Sequence, residues 1–382
     1  MGRRLDHERK VKRCRSRAGG GPVLFVFIFL STLAFAEPIR LADDVLAGKL
    51  EAAAAPLFPT DQPGGAILVA RNGKTLFRKA YGLADLERRI ALRPEMVFRI
   101  GSITKPLTAL GVFLLVDEGR ISLDDEITKF LPDYPVRGKR ITVDHLLTHS
   151  SGIRSYTDLL VEPSTLALDK SLAAIIDDFR NEALFFEPGD AIRYSNSNYI
   201  LLGAIIEKVS GERYADFMAK RVFEPLGMKS TAYEGEERNG TRRVEGYERG
   251  LAQPYQVAKP ISMSQPHAAG ALVSTIDDLA RWGQAIDRKA FLGAASWKQA
   301  FRPFVLNDGR VTHACRGWFV ERIAFGREAY YHAGGINGFA SFVYWVPEER
   351  VFVVVLLNNV GQTVSAARLA QTLLHVALRR DP

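Results

Sequence analysis

Cysteine is almost absent: the 382-residue chain holds two, Cys14 and Cys315. Two cysteines exclude a disulfide-framed small domain and a cysteine-ligated zinc module. Long apolar runs are missing too. The longest mostly apolar stretch, 23–36, has fourteen residues, which at about 1.5 Å each fall short of a ~30 Å hydrocarbon core. A polytopic membrane protein is therefore excluded. Internal repeats, low-complexity tracts, a Walker A loop and a dinucleotide-binding glycine fingerprint are all lacking. No G-x-S-x-G nucleophile elbow occurs, which disfavours an α/β-hydrolase. No H-E-x-x-H surrounds His145 and His149, so that i, i+4 pair reads as capping or packed histidines and no metal is called for.

What is present is ordinary globular material, 47% hydrophobic and 25% charged. The formal charge of +8, from 51 basic and 43 acidic residues, hints at nucleic acid. Its distribution removes the hint. Eight basic and two acidic residues lie in 1–22, ahead of the apolar run and the small-x-small ending Ala34-Phe35-Ala36. That order reads as a secretory signal peptide over 1–36, with a periplasmic or secreted product. Beyond it 43 basic and 41 acidic residues remain, a net +2 that supports no nucleic-acid surface. Once the leader is cleaved no membrane segment is expected. Cys14 leaves with it, and Cys315 reads as a packed small residue.

Along the expected mature chain, 41–55 reads as a helix. The runs 65–70 and 75–81 flank Asn72-Gly73, a hairpin signal. Ile103, Leu107, Leu110 and Leu114 recur at helical spacing over 102–118, with Gly119 as a stop. A further helix is predicted over 197–209, short ones over 277–286 and 295–301, and a closing one over 363–379. The β-rich runs 338–345 and 351–357 make a second hairpin. Strands near both ends with helices between them indicate an α+β fold with an antiparallel sheet, not alternating βαβ.

Three short motifs carry chemistry. Ser102-Ile103-Thr104-Lys105 puts a lysine one turn from a serine, if Ser102 opens the helix. A serine hydroxyl needs a base, and a lysine becomes one only when its pKa is depressed from about 10.4. Tyr194-Ser195-Asn196 precedes the helix at 197. Its phenol, beside an ammonium, can share the base role, and its amide suits an acyl-chain amide. His332-Ala333-Gly334-Gly335 reads as a glycine-rich turn just ahead of a strand, open to close approach by substrate. Each motif alone has an equally good structural explanation: a capping serine, a capping asparagine, an incidental turn.

In this order and separation, the three motifs resemble the serine β-lactamase and penicillin-binding-protein superfamily, most closely its class C β-lactamase, DD-carboxypeptidase and esterase branch. Stretches such as "FRIGSITKPLTALGVFLLVDEGRISLDDEITKFLPDYP", "ITVDHLLTHSSGI" and "YSNSNYILLGAIIEKVSG" extend the likeness from about residue 64 to 374. The resemblance implies a β-lactamase/DD-peptidase-like sheet flanked by N- and C-terminal helices, with a mostly helical subdomain. A single catalytic unit is expected over 37–382, its sheet part about 37–101 and 265–382, its helical part about 102–264. Ser102 would be the acylated nucleophile, and Lys105 and Tyr194 the general base pair. Asn196, His332, Gly334 and Gly335 would bind substrate. The N–H groups of Ser102 and Gly335 would form the oxyanion hole. No cofactor is implied, and the partner is a small-molecule or peptide substrate. His332 stands where many relatives carry the lysine of K-T-G, which weakens the case for strong β-lactamase activity. If histidine supplies charge there, lowering the pH towards 6 would help carboxylate-bearing substrates, with Arg316 as an alternative cation. The implied activity is an esterase or D-Ala-type peptidase. A true class C-like β-lactamase and a catalytically silent binding protein remain alternatives. Oligomeric state has no signal in the sequence. The exported protein is expected to begin near Glu37, and N-terminal sequencing that finds 1–36 retained would overturn the leader.

Overall fold

A computed structural model describes residues 43–159, 163–237, 240–249, 254–361 and 365–379. The expected leader lies outside them. Six strands make one antiparallel sheet: β1 (Gly65–Arg71), β2 (Lys74–Tyr81), β3 (Phe319–Arg322), β4 (Glu328–Ile336), β5 (Phe339–Val346) and β6 (Val351–Leu357). Their spatial order is β3-β4-β5-β6-β1-β2, so the first and last strands of the chain's sheet meet at its centre. There Ile67 faces Val355 and Val69 faces Val353. Both predicted hairpins form. Asn72, at φ +54, takes the left-handed conformation that asparagine tolerates in such a turn.

Every residue of β6 is buried because helices cover both faces of the sheet. Val353, Val355 and Leu357 pack with α1 (Asp43–Ala54) and with α6 (Ala366–Leu378). Phe352, Val354 and Leu356 point the other way, into the larger core that holds α2 (Thr104–Asp117), α4 (Asn196–Ser210) and α5 (Ile276–Asp287). Alternation at period two thus feeds two separate cores from one strand. Between α2 and α4 comes the short α3 (Val143–Leu147). There Thr142 and His145 form a reciprocal cap, giving His145 the capping role its spacing suggested.

The sequence and the structure differ at two functional points. Ser102 does not open α2; it sits in a 3₁₀ turn, Gly101–Ile103, one step earlier. The four residues 332–335 are not a turn; they lie inside β4, opposite Val343, Phe342, Ser341 and Ala340 of β5. Glycine's poor strand propensity hid this strand, and only pairing with β5 makes it one. Predicted amphipathicity of α2 also understated its burial. Eleven of its fourteen residues are buried, so it runs through the core, not over its surface.

Helix α5 shows how tightly these layers close. A Cβ added at Gly283 would stand 2.6 Å from the ring of Phe352 on β6. Alanine would favour the helix by about 1 kcal/mol over glycine, but overpacking a core costs about 1–3 kcal/mol. Gly283→Ala is therefore expected to destabilise the fold by up to about 2 kcal/mol, read as a lower denaturant midpoint at unchanged m-value. A gain in stability would show that Phe352 moves freely.

Candidate active site

Helix α2 carries Lys105 into the core with no exposed surface. Its Nζ lies 2.7 Å from Asn196 Oδ1, 2.8 Å from Ala269 O and 3.0 Å from Ser102 Oγ. Among the described residues no carboxylate pairs with it. The rings of Tyr194 and Tyr199 stand 4.7 and 5.6 Å away and favour a cation. Burial opposes the cation more strongly and holds the lysine pKa well below its ordinary value. The partner set suits a neutral amine. The two carbonyl oxygens can only accept, so they use both N–H bonds of a neutral amine. Its lone pair is then left for the Ser102 hydroxyl.

Two packing contacts fix the serine turn. Gly101 takes φ +50, and a Cβ there would come within 2.9 Å of Gly335 N. Ser341 of β5 donates to Ile100 O at 2.8 Å. That bond passes the α-carbon of Gly334, where any Cβ would collide with both Ser341 Oγ and Ile100 O. Gly334, expected to bind substrate, instead lets β4 press against the turn that carries Ser102. Gly335 has open space around its α-carbon, as a substrate-facing position needs.

Tyr194 is 37% exposed. Its hydroxyl lies near enough to Ser102 for the serine to lower its pKa. Crowding by protein on the remaining sides raises that pKa, and the serine lowers it less. The phenol is therefore neutral at neutral pH, and the expected phenolate stabilised by Lys105 does not arise. Asn196 is the first residue of α4. Its carbonyl serves Lys105, and its Nδ2 donates to Thr157 Oγ1 at 3.1 Å. The amide expected to touch substrate is thus largely engaged in holding the lysine.

His332 is 2% exposed, its Nδ1 2.7 Å from Ala333 O. A carbonyl only accepts, so Nδ1 carries the proton and Nε2 is a bare lone pair with no partner among the described residues. Burial is the main cause that pushes its pKa down to about 3, and whenever Lys105 carries a proton its charge adds to the effect. This corrects the expectation of a histidine that gains charge near pH 6. Arg316 does not supply the charge either. It is locked by a two-bond pair to Asp144 at 2.7 Å and by the carbonyls of Gln299 and Arg302. The one free cysteine among the described residues, Cys315, is buried, its thiol pushed up to about 12 by burial. Among those residues no cluster of histidine, cysteine, aspartate and glutamate is placed to hold a metal.

Two contributors were not singled out in the sequence: Ala269, through its carbonyl, and Ser341, through its bond to Ile100. Ala269 acts by backbone, which no side-chain pattern reveals. His149 was read as a packed residue and is buried, but it packs directly against Tyr194, with ring centroids 4.5 Å apart.

A half-buried serine hydrogen-bonded to a fully buried lysine, beside a six-stranded antiparallel sheet with a helical subdomain, is the arrangement of the serine β-lactamase and penicillin-binding-protein class. The chain belongs to the family described as Beta-lactamase, whose sequence model matches residues 52–378. Penicillin-binding protein 4* of Bacillus subtilis is 29% identical over 332 residues, spanning 82% of this chain and 72% of that protein. Protein flp of Staphylococcus aureus is 28% identical over 78% of this chain, which spans 59% of flp's length. An octameric penicillin-binding-protein homologue from Pyrococcus abyssi superposes with a TM-score of 0.75 at 28% identity, over 87% of this chain and 77% of that one. D-amino acid amidase of Ochrobactrum anthropi SV3 gives 0.73 at 26% identity, over 87% and 97%.

The histidine pKa predicts an acid weakness. The unfolded chain protonates His332 near pH 6.5, while the folded chain excludes that proton until about pH 3. Stability from neutral His332 is complete above pH 6.5 and falls progressively towards pH 3, by up to about 1.4 kcal/mol per unit. Between pH 7 and pH 5 the native protein is expected to lose roughly 1–2 kcal/mol more than His332→Gln, by denaturant unfolding. Equal losses would show that His332 titrates normally.

Proposed function

We propose that this protein is a secreted serine hydrolase that works through an acyl-enzyme on uncharged esters or amides, with weak β-lactamase activity. The observation that carries this reading is the Lys105 amine, fully buried and 3.0 Å from Ser102 Oγ with its other two partners both acceptors. Lys105 takes the hydroxyl proton as Ser102 Oγ bonds to the substrate carbonyl carbon. The N–H groups of Ser102 and Gly335 receive the oxyanion, a contribution of about 2.7–4 kcal/mol for a single such donor in other hydrolases. The proton passes from Lys105 through the neutral Tyr194 phenol to the leaving group. Water then cleaves the Ser102 ester and restores the enzyme.

Substrate preference rests on His332. A neutral ring with a bare Nε2 offers no positive charge to a carboxylate. A charge-assisted hydrogen bond is roughly twice as strong as a neutral one, so carboxylate recognition weakens by about 1–2 kcal/mol relative to a lysine. Uncharged esters lose nothing by the change. The likeness to D-amino acid amidase supports amino acid amides as a second substrate type. The basic, apolar and small-x-small order of 1–36 supports export with cleavage before Glu37.

One set of assays tests the reading. p-Nitrophenyl butyrate is expected to be turned over with a higher kcat/KM than nitrocefin, with an acyl adduct on Ser102 by mass spectrometry. Ser102→Ala should fold and be inactive. Lys105→Ala and Tyr194→Phe should each lower acylation by roughly 10²–10⁴, and together by far less than the product of the two. An active Ser102→Ala protein, or nitrocefin turnover without esterase activity, would refute the assignment.

A further inference from the structure

The residue before Ser150 holds the Tyr194 loop from two directions. His149 accepts the Arg193 N–H at its carbonyl oxygen, at 3.0 Å, and the Ser195 N–H at its ring Nδ1, at 3.2 Å. These are the two backbone N–H groups on either side of Tyr194. In a strand pair two carbonyl oxygens would do this; here a ring nitrogen replaces the second. The same ring lies against the Tyr194 ring, tilted 33° at 4.5 Å. Ser195 is also the residue that caps α4, so its N–H fixes the start of the helix whose first residue, Asn196, holds Lys105.

The backbone of His149 is fixed by the end of α3. Its φ is +59, the left-handed conformation common one residue past a helix C-cap. The Ser150 N–H donates to His145 O and the His149 N–H to Leu146 O, the bond pair that closes such an end, and the Gly189 N–H donates to Ser150 O. The ring is thereby aimed at the Tyr194 loop from a rigid helix terminus.

We propose that His149 is a positioning residue: its ring Nδ1 and its carbonyl oxygen set the position of Tyr194 and Asn196 around Ser102. The proposal rests on the hydrolase reading above. It requires Nδ1 to be an acceptor, so the proton sits on Nε2 and the ring is neutral. The groups facing it are Lys105 from α2, His332 from β4, Phe319 from β3, Tyr194 from the loop, and Asn198 and Tyr199 from α4. None is a carboxylate, so nothing there stabilises a histidine cation. Burial holds its pKa well below the usual value, and a proton on Lys105 would lower it further. A proton on Nδ1 would confront the Ser195 N–H and release the loop.

Two substitutions separate the acceptor from the ring. His149→Asn tolerates the left-handed backbone and places an amide oxygen near the former Nδ1. His149→Phe keeps a ring and removes the acceptor. With p-nitrophenyl butyrate, His149→Phe is expected to lower kcat by roughly 10², the scale of a misplaced catalytic group, with KM within about twofold. His149→Asn should stay within about fivefold of the native kcat. Equal losses in both variants, or a His149→Phe loss below about threefold, would overturn the proposal. Imidazole ¹⁵N spectra of the unaltered protein give a second test, needed if His149→Phe does not fold. They should show an unprotonated Nδ1 and a protonated Nε2 from pH 5 to 8. A midpoint near pH 6.5, or a proton on Nδ1, would overturn it as well. If the unaltered protein neither hydrolyses the ester nor gains an adduct on Ser102, the hydrolase reading fails instead, and the spectra still decide the role of His149.

Discussion

A lysine buried without a carboxylate partner governs this centre. Removing an ammonium from water costs on the order of several kcal/mol even after the protein relaxes. Without an opposing charge, the group gives up its proton. Everything around Lys105 is consistent with that outcome. Asn196 Oδ1 and Ala269 O are neutral acceptors, the Tyr194 and Tyr199 rings are neutral, and His149 and His332 are held neutral in turn by burial and by any charge Lys105 does carry. Place a carboxylate here and the lysine would become a permanent cation, unable to take a proton from serine.

The same constraint reaches the fold. Lys105 is buried because α2 passes through the core, with neighbours on nearly all sides. That helix can run there because α4 and the short helices 267–270 and 294–300 pack against it. The serine turn is then trapped between α2 and β4. Gly334 and Gly101 allow backbone to meet backbone at that junction, and Ser341 pins Ile100 across it. A side chain at position 334 would push β4 away from the Ser102 turn.

His332 separates this site from one built around K-T-G. A lysine there would place a fixed charge beside substrate. Histidine, buried and bonded through Nδ1 to the next carbonyl, presents only a lone pair. The absence of charge at His332 follows from tautomer and burial together, not from residue type alone. An exposed histidine at the same place would titrate near pH 6.5 and behave as a part-time cation.

Much of this was legible in the sequence because it depends on spacing. Apolar residues at periods of two and 3.6 placed both hairpins and the helices near 43–54, 104–117, 196–210 and 366–378 to within a few residues. S-x-x-K, Tyr-x-Asn and the His-Gly-Gly segment lie within 240 positions of one another, and a lysine one turn beyond a serine is a local fact. What the sequence could not reveal is long-range. The strand at 328–336 exists because β5 pairs with it, against the poor strand propensity of its glycines. Depressed pKa values at Lys105, His149 and His332 come from burial by residues far away in the chain. Arg316 reads as a free cation until Asp144, 172 residues earlier, is found bonded to it. Local periodicity fixes which elements form; only their packing decides which groups lose water, and with it which of them carry charge.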